Sequence, residues 1–360
     1  MLWLTCAYYY VSLPVVTLAV AGLGAGLIYW SIAIGRIPLR LLVLGMLVVV
    51  GSLLAIARSV FVRARDEDPG EPLDLQNNPR LRAALDEVAA RIGARPVDAV
   101  YITPGTDIAV LERGGLGRQL RGRSQRCLVL GAGVLDGMRV REFKAVLAHE
   151  YGHFQNEDTA GGGFALAVRR SLMTMAMHLA RGRVASPFNP AWWFVHGFHA
   201  LFLRVSQGAS RLQEVLADRW SAFAYGPQAF ARGLTHVVER SVRFEAHMSA
   251  TLNELIPAAR PVRNLYTFRP EKPIDDGALE DAVRGAMNRP PSPYDSHPPP
   301  ADRIAWVKKV AVEPAPESEE DARDAWTLIS AREAVECRMT EVVRSTLARR
   351  GIRLAAATPT

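Results

Sequence analysis

The chain carries the pentad His149-Glu150-Tyr151-Gly152-His153. On a helix, positions i and i+4 share a face, so both imidazoles can reach one metal ion, with Glu150 beside them as a base. Phe143, Leu147, Tyr151 and Phe154 form a second stripe, expected to hold this helix against a core. Val146, His149, Glu150 and His153 then line the opposite, cleft-facing side. A hydrolytic zinc needs a third protein ligand and an open fourth position for water. Downstream, Arg211-Leu-Gln-Glu-Val-Leu-Ala-Asp218 sets Glu214 and Asp218 one helical turn apart. Leu212, Leu216 and Phe223 are the expected buried stripe of that helix, and Gly226-Pro227 its stop. Glu214 can complete a His/His/Glu set, and Asp218 can accept the other ring N–H of a ligand histidine, fixing its tautomer. A solvated helix face explains an isolated Glu/Asp pair equally well, but coupling to the pentad favours the ligand reading. Zinc in such a site lowers the pKa of its water to about 7, and Glu150 would take the proton and pass it to the leaving amine. Cobalt and manganese suit the same donors in vitro.

These residues sit in a chain of 360 residues, 49% hydrophobic and 22% charged, which excludes a mainly disordered or collagen-like polymer. Residues 1–35 hold no Asp, Glu, Lys or Arg, and neither does Leu41–Ala57. Two membrane spans are expected, at about 11–35 and 39–62, forming a hairpin within residues 1–65 whose ends share one side. Arg58, Arg63 and Arg65 outnumber Arg36 and Arg40 by a single charge, which leans the rest of the chain toward the cytoplasm. The net charge of +7 does not signal nucleic acid: Arg113, Arg118, Arg121, Arg123 and Arg126 are interleaved with glycines, not stacking aromatics. Cys6, Cys127 and Cys337 are too few and too scattered for a disulfide framework or a Cys-type metal site.

Residues 66–312 read as one soluble domain. Asn78-Pro79 with Leu81, Leu85, Val88, Ile92 and then Gly93 predicts a capped amphipathic helix. Val97–Ile102, Asp107–Leu111 and Cys127–Leu130 predict a small antiparallel sheet, and helices follow from about Arg139. Phe164–Ala180 and Ala191–Val205, within residues 162–206, are two further apolar helices, readable as a spanning pair or as an interfacial or lid-like hairpin. The proline-rich Pro290–Pro300 must be extended or looped. Residues 313–360 supply an acidic linker to about Asp321 and a last helix over about Asp324–Leu347. Sheet first and helices after it give an α+β class.

The pentad, with Asn156 and Asp158 behind it, Glu142-Phe-Lys-Ala-Val-Leu-Ala-His149-Glu150 leading into it, Arg211-x-x-Glu214-x-x-Ala217-Asp218 downstream and the late Asp295-Ser-His-Pro-Pro-Pro-Ala-Asp-Arg303-Ile, resembles the HtpX and type I CAAX prenyl protease group of gluzincin membrane metallopeptidases. The resemblance covers roughly residues 70–310. It implies an α+β fold, with an N-terminal transmembrane hairpin before a mainly helical gluzincin-type domain. One Zn2+ per chain is implied on His149, His153 and Glu214, with Glu150 as the base. His297 is implied as a second donor to the oxyanion, a plain loop histidine being the other reading. Arg303 would hold that loop or a substrate carboxylate, structural use being favoured. Asn156 and Asp158 would orient the end of the active-site helix. Asp107, Ile108 and Ala109 fall in the strand expected to hold substrate backbone, where Thr106–Val110 departs from the group's Asn-Ala-Phe-like residues. The implied activity is that of a zinc endopeptidase of the bacterial inner membrane, its protease domain cytoplasmic, acting on membrane-associated or misfolded polypeptides. Its partners would be such substrates and the lipid bilayer, and no nucleic acid. A non-catalytic zinc scaffold and a CAAX-type processing protease stay open as alternatives.

Overall fold

A computed structural model of the chain describes residues 2–35, 39–61, 68–113, 124–160, 162–290, 297–313 and 316–357. Arg36, Arg63, Arg65, Arg118, Arg121, Arg123 and Asp295 lie outside them. Two helices open the chain, α1 (Leu2–Ile34) and α2 (Leu39–Phe61). Their segments Leu4–Ile34 and Leu42–Ser59 are long and apolar enough to cross a membrane. The first helix starts well before residue 11, because nothing charged interrupts the run, and it passes through Pro14. Leu4, Val11, Val15 and Leu18 point outward and are exposed, an apolar surface that suits lipid better than water.

A four-stranded sheet and a helical body follow. β1 (Glu71–Leu73) precedes α3 (Pro79–Ile92), which has Pro at its first turn and ends on left-handed Gly93 (φ 71°). Then come β2 (Ala99–Thr103), β3 (Ile108–Arg113) and β4 (Gln125–Gly131), in the spatial order β1-β2-β4-β3. The sheet is mixed and not purely antiparallel: β2 pairs with β4 in parallel, while β3 pairs with β4 antiparallel. Topology explains this. The short Pro104–Asp107 connection reverses the chain and carries it over the end of β4, so consecutive strands flank β4 with opposite directions. The crossing is tight: a Cβ on Gly131 would lie 2.3 Å from the Gly105 carbonyl oxygen.

The helices are α4 (Val140–Ala160), α5 (Gly162–Arg181), α6 (Pro190–Tyr225), α7 (Pro227–Leu255), α8 (Asp276–Met287), α9 (Pro300–Val307) and α10 (Arg332–Arg349). Ala191–Val205 and the Glu214 segment, expected as separate helices, are one 36-residue helix, since neither proline nor charge repulsion breaks it before Gly226. Three apolar clusters form among the described residues, the smallest around Leu255, Val262, Leu265 and Leu354, and the other two position the site. One joins α1, α2, α5 and the first half of α6 through Tyr9, Val49, Ile56, Leu172, Leu179, Val195 and Phe198. The other joins α3, the sheet, α4, the end of α6 and the start of α7.

The C-terminal residues pack into this second cluster through Trp326, Leu328, Ile329 and Met339. Their helix is broken where sequence predicted continuity. A 3-10 turn over Ala325–Leu328 is separated from α10 by Ala331, which takes a positive φ of 56°. The buried Asp321 fastens the linker to α4, pairing with Lys144 at 2.8 Å and Arg141 at 3.5 Å.

Candidate metal centre and active site

The active-site helix α4 is anchored as its pattern demands. Phe143, Leu147 and Tyr151 are fully buried and Phe154 nearly so. The Tyr151 hydroxyl accepts the Val97 N–H at 3.2 Å, tying the helix to the sheet. The second helix departs from expectation. Leu212 (60% exposed) and Phe223 (47%) face outward, while Glu214, Ala217, Asp218, Ser221 and Ala222 are buried. Here α6 buries its small and polar side, because that side lies on α4. The Ser221 hydroxyl donates to the Ala145 carbonyl at 2.6 Å, and a Cβ on Gly152 would meet the Ala217 Cα at 3.0 Å.

That close packing brings His149, His153 and Glu214 together, with one ligating atom from each lying within 4.8 Å of the others. The Nε2 atoms of His149 and His153 are 3.2 Å apart. His153 Nε2 lies 3.3 Å from Glu214 Oε1, and His149 Nε2 lies 3.7 Å from Glu214 Oε2. Four ligands set tetrahedrally at about 2.0–2.1 Å from zinc are separated by about 3.3–3.4 Å, so these edges fit such an ion. Glu214 Oε2 is buried and accepts no hydrogen bond among the described residues, although the Arg303 Nη2 atom lies 3.4 Å away. The guanidinium offsets the charge without bonding this oxygen, which leaves a lone pair there for a metal ion.

Asp218 lies against His149 on the side away from His153 and Glu214. Its Oδ1 accepts from His149 Nδ1 at 2.9 Å, which leaves the His149 Nε2 lone pair facing the ligand cluster. Arg303, buried on α9, donates to the same carboxylate twice, through Nε at 3.0 Å and Nη2 at 2.6 Å. This fork makes Arg303 a support for Asp218, a pairing that spacing in the sequence did not reveal. Burial opposes ionisation of Asp218, but the bonds from His149 and Arg303 outweigh it and hold its pKa at about 2. Burial, then the neighbouring His149, push His153 down to about 3, so its ring is neutral and available as a ligand. Glu214 is likewise held below the usual range: burial works against it, while His297 and the nearby cations prevail.

Glu150 occupies the cleft side of α4, and burial raises its pKa. Its Oε2 accepts the Val110 N–H at 3.4 Å. Val110 belongs to β3, the edge strand, and this N–H points away from β4. The Asp107 carbonyl instead accepts from Gly131 N at 2.7 Å, on the β4 side. Backbone groups alternate along a strand, so Ile108 and Val110 present theirs to the free edge, whereas those of Asp107 and Ala109 turn toward β4. His297 (51% exposed in its side chain) sits before α9 with Nδ1 2.7 Å from Glu214 Oε1. Asn156 and Asp158 fall on the last turns of α4, and their side chains lie outside the described residues.

His149, His153 and Glu214, with Asp218 behind His149 and Glu150 against β3, form a candidate metal centre. The family model for peptidase family M48 matches residues 117–311, and the chain belongs to that family. It is a membrane-anchored metalloprotease. A protein described as a protease HtpX homolog, from Acaryochloris marina (strain MBIC 11017), is 26% identical over 208 residues, which is 53% of this chain and 68% of that one. A crystal structure of S. mikatae Ste24p aligns over 84% of this chain and 67% of its own, at 15% identity and a TM-score of 0.33.

Proposed function

We propose that this metalloprotease is a zinc-dependent endopeptidase with one Zn2+ per chain, held by His149, His153 and Glu214. The observation that carries the proposal is the convergence of the three side chains, with the two Nε2 atoms 3.2 Å apart, His153 Nε2 3.3 Å from Glu214 Oε1 and His149 Nε2 3.7 Å from Glu214 Oε2. When bound, zinc would supply Lewis acidity and a water acidified enough to ionise near neutral pH. Glu150 would accept that proton on its carboxylate and deliver it to the leaving amine. Its raised pKa suits a group that must both take and return a proton. Asp218, braced by Arg303, keeps His149 in the tautomer that offers Nε2. The Ile108 backbone and the Val110 carbonyl, at the free edge of β3, would pair with an extended polypeptide, the Val110 N–H being held by Glu150. His297 would donate to the oxyanion from the loop before α9.

The substrate class, polypeptides that are membrane-associated or misfolded, is what the family resemblance implies, and the free edge of β3 and the two apolar helices support it. A location in the bacterial inner membrane, with α1 and α2 crossing it and the protease domain in the cytoplasm, rests on those helices and on the arginine after the second. Glu150→Gln should keep the metal and lose casein cleavage by a factor of about 10²–10⁴. A variant as active as the parent would end this reading. The specific observation favouring a non-catalytic zinc scaffold is the 2.7 Å approach of His297 to Glu214, which could close the fourth position. Glu150 weighs against it, since a closed structural site has no use for a base. A CAAX-type processing role uses the same residues and differs only in substrate.

A further inference from the structure

The α5–α6 hairpin ends partway along α2. At its turn Val184 packs on Gly51, where a Cβ would lie 3.0 Å from Val184 Cγ1. The buried Asn189 side chain donates to Ser52 Oγ at 2.7 Å. Nearer the catalytic body, the Ser171 hydroxyl of α5 donates to the Ser59 carbonyl at 3.0 Å and meets the Tyr9 hydroxyl at 2.7 Å. At about 1.5 Å per residue, Ser52 stands about 20 Å from the Leu39 end of α2 and about 10 Å from Ser59. A hydrocarbon core about 30 Å thick, measured from the Leu39 end, therefore closes at Arg58 and Ser59. Arg58 is the first charge after the uncharged run Leu41–Ala57. The two contact levels thus place the hairpin turn about 10 Å inside the near face and about 20 Å short of the far one.

Composition follows the same levels. Residues 171–180 and 190–203 contain no Asp, Glu, Lys or Arg, while Arg169 and Arg204 bracket them on the catalytic side. Neither leg reaches the roughly 20 residues a crossing needs. Phe188 (88% exposed) and Trp193 (63%) project outward near the turn, with Met177 above them. Arg181 and Arg183 are exposed at the turn itself, and their long stems can carry the charge back toward headgroups. Much of the irregular backbone is bonded within the turn. Gly182, Arg183, Val184 and Asn189 donate to the carbonyls of His178, Ala180, Leu179 and Ser186, and the Ala191 N–H reaches Asn189 Oδ1. Internal bonding of this kind lowers the cost of placing non-helical backbone at membrane depth.

We propose that the α5–α6 hairpin is a re-entrant membrane element. It enters the bilayer from the catalytic side, buries Phe188 and Trp193 among the acyl chains of the near leaflet, and turns back without reaching the far face. Because α6 is unbroken, the same helix carries Glu214, 24 residues or about 36 Å beyond Pro190. The bilayer thereby fixes the height of the metal centre.

The inference takes α1 and α2 as the membrane anchor, and its test separates the two. Nitroxide labels are placed singly on Ala185→Cys, on Leu47→Cys as a lipid-facing standard and on Ser345→Cys as a water-facing one, in the full chain reconstituted into phosphatidylcholine/phosphatidylglycerol vesicles. Collision with oxygen and with a water-soluble nickel chelate is then measured. The label at 185 should be shielded from nickel several-fold relative to 345, yet less deeply than at 47. The free thiol at 185 should resist an impermeant maleimide supplied from the side opposite the catalytic domain. Nickel access at 185 equal to that at 345, or modification from the opposite side, overturns the proposal. Access at 47 equal to that at 345 overturns the anchor reading itself.

Discussion

Gly152 of α4 and Ala217 of α6 lie so close that a Cβ on Gly152 would stand 3.0 Å from the Ala217 Cα and 3.3 Å from its Cβ. One turn of α6 before Ala217 is Glu214, and the next residue is Asp218. The absence of a side chain on Gly152 is thus what lets Glu214 and Asp218 reach His149 and His153.

Gly152→Ala should therefore act on the metal site through helix spacing. Overpacking of this kind costs about 1–3 kcal/mol, and the displaced Glu214 should weaken metal binding by a larger factor than a surface alanine does. Thermal unfolding together with metal competition against a chelator reads both effects. Unchanged metal affinity in a destabilised variant would detach Gly152 from the site.

His297 distinguishes an open site from a closed one. With His297 as an oxyanion donor, His297→Ala should lower kcat by about 10²–10³, leave KM little changed and retain the metal. With His297 as a fourth ligand, the same variant should gain activity and bind metal less tightly. Steady-state kinetics on a fluorogenic peptide, paired with metal analysis, separate the outcomes.

How much of this was legible in the sequence depends on range. The pentad, its buried stripe, the Pro79 start and Gly93 end of α3 and the Glu214/Asp218 spacing are local, and the folded chain repeats them, although the Asn78 side chain bonds Asp74 and Ser330 instead of capping α3. What escaped were pairings made across the fold. The Arg303 fork on Asp218 joins residues 85 apart, and the Val110–Glu150 bond depends on which strand lies at the sheet edge. Periodicity misled on α6: Leu212 and Phe223 promised an apolar buried face, but the helix buries its small and polar residues because Gly152 draws it onto α4. Parallel pairing of β2 with β4 was equally hidden, since it rests on a loop crossing at Gly131 and not on strand composition.

Acid sensitivity should report the strap over α4. Asp321 is buried, which favours its neutral form, yet bonds from Lys144 and Ser318 hold its pKa below the ordinary 3.8. A carboxyl with a lowered folded pKa binds fewer protons folded than unfolded. Its stabilisation is therefore complete above pH 3.8 and drains away as pH falls through the lowered value. Asp321→Asn should be less stable at neutral pH by about 3 kcal/mol, with Lys144 left only Glu87, and should lack this part of the acid-side loss. Denaturant titrations of parent and variant from neutral pH to below pH 3.8 measure the difference. Parallel pH curves would remove Asp321 from the account.

The most direct measurement is metal content, by mass spectrometry, of the detergent-purified parent, Glu150→Gln and Glu214→Ala chains. A centre built from His149, His153 and Glu214 predicts one equivalent of zinc in the parent and in Glu150→Gln, and a large deficit in Glu214→Ala. A full equivalent retained without the Glu214 carboxylate would contradict it.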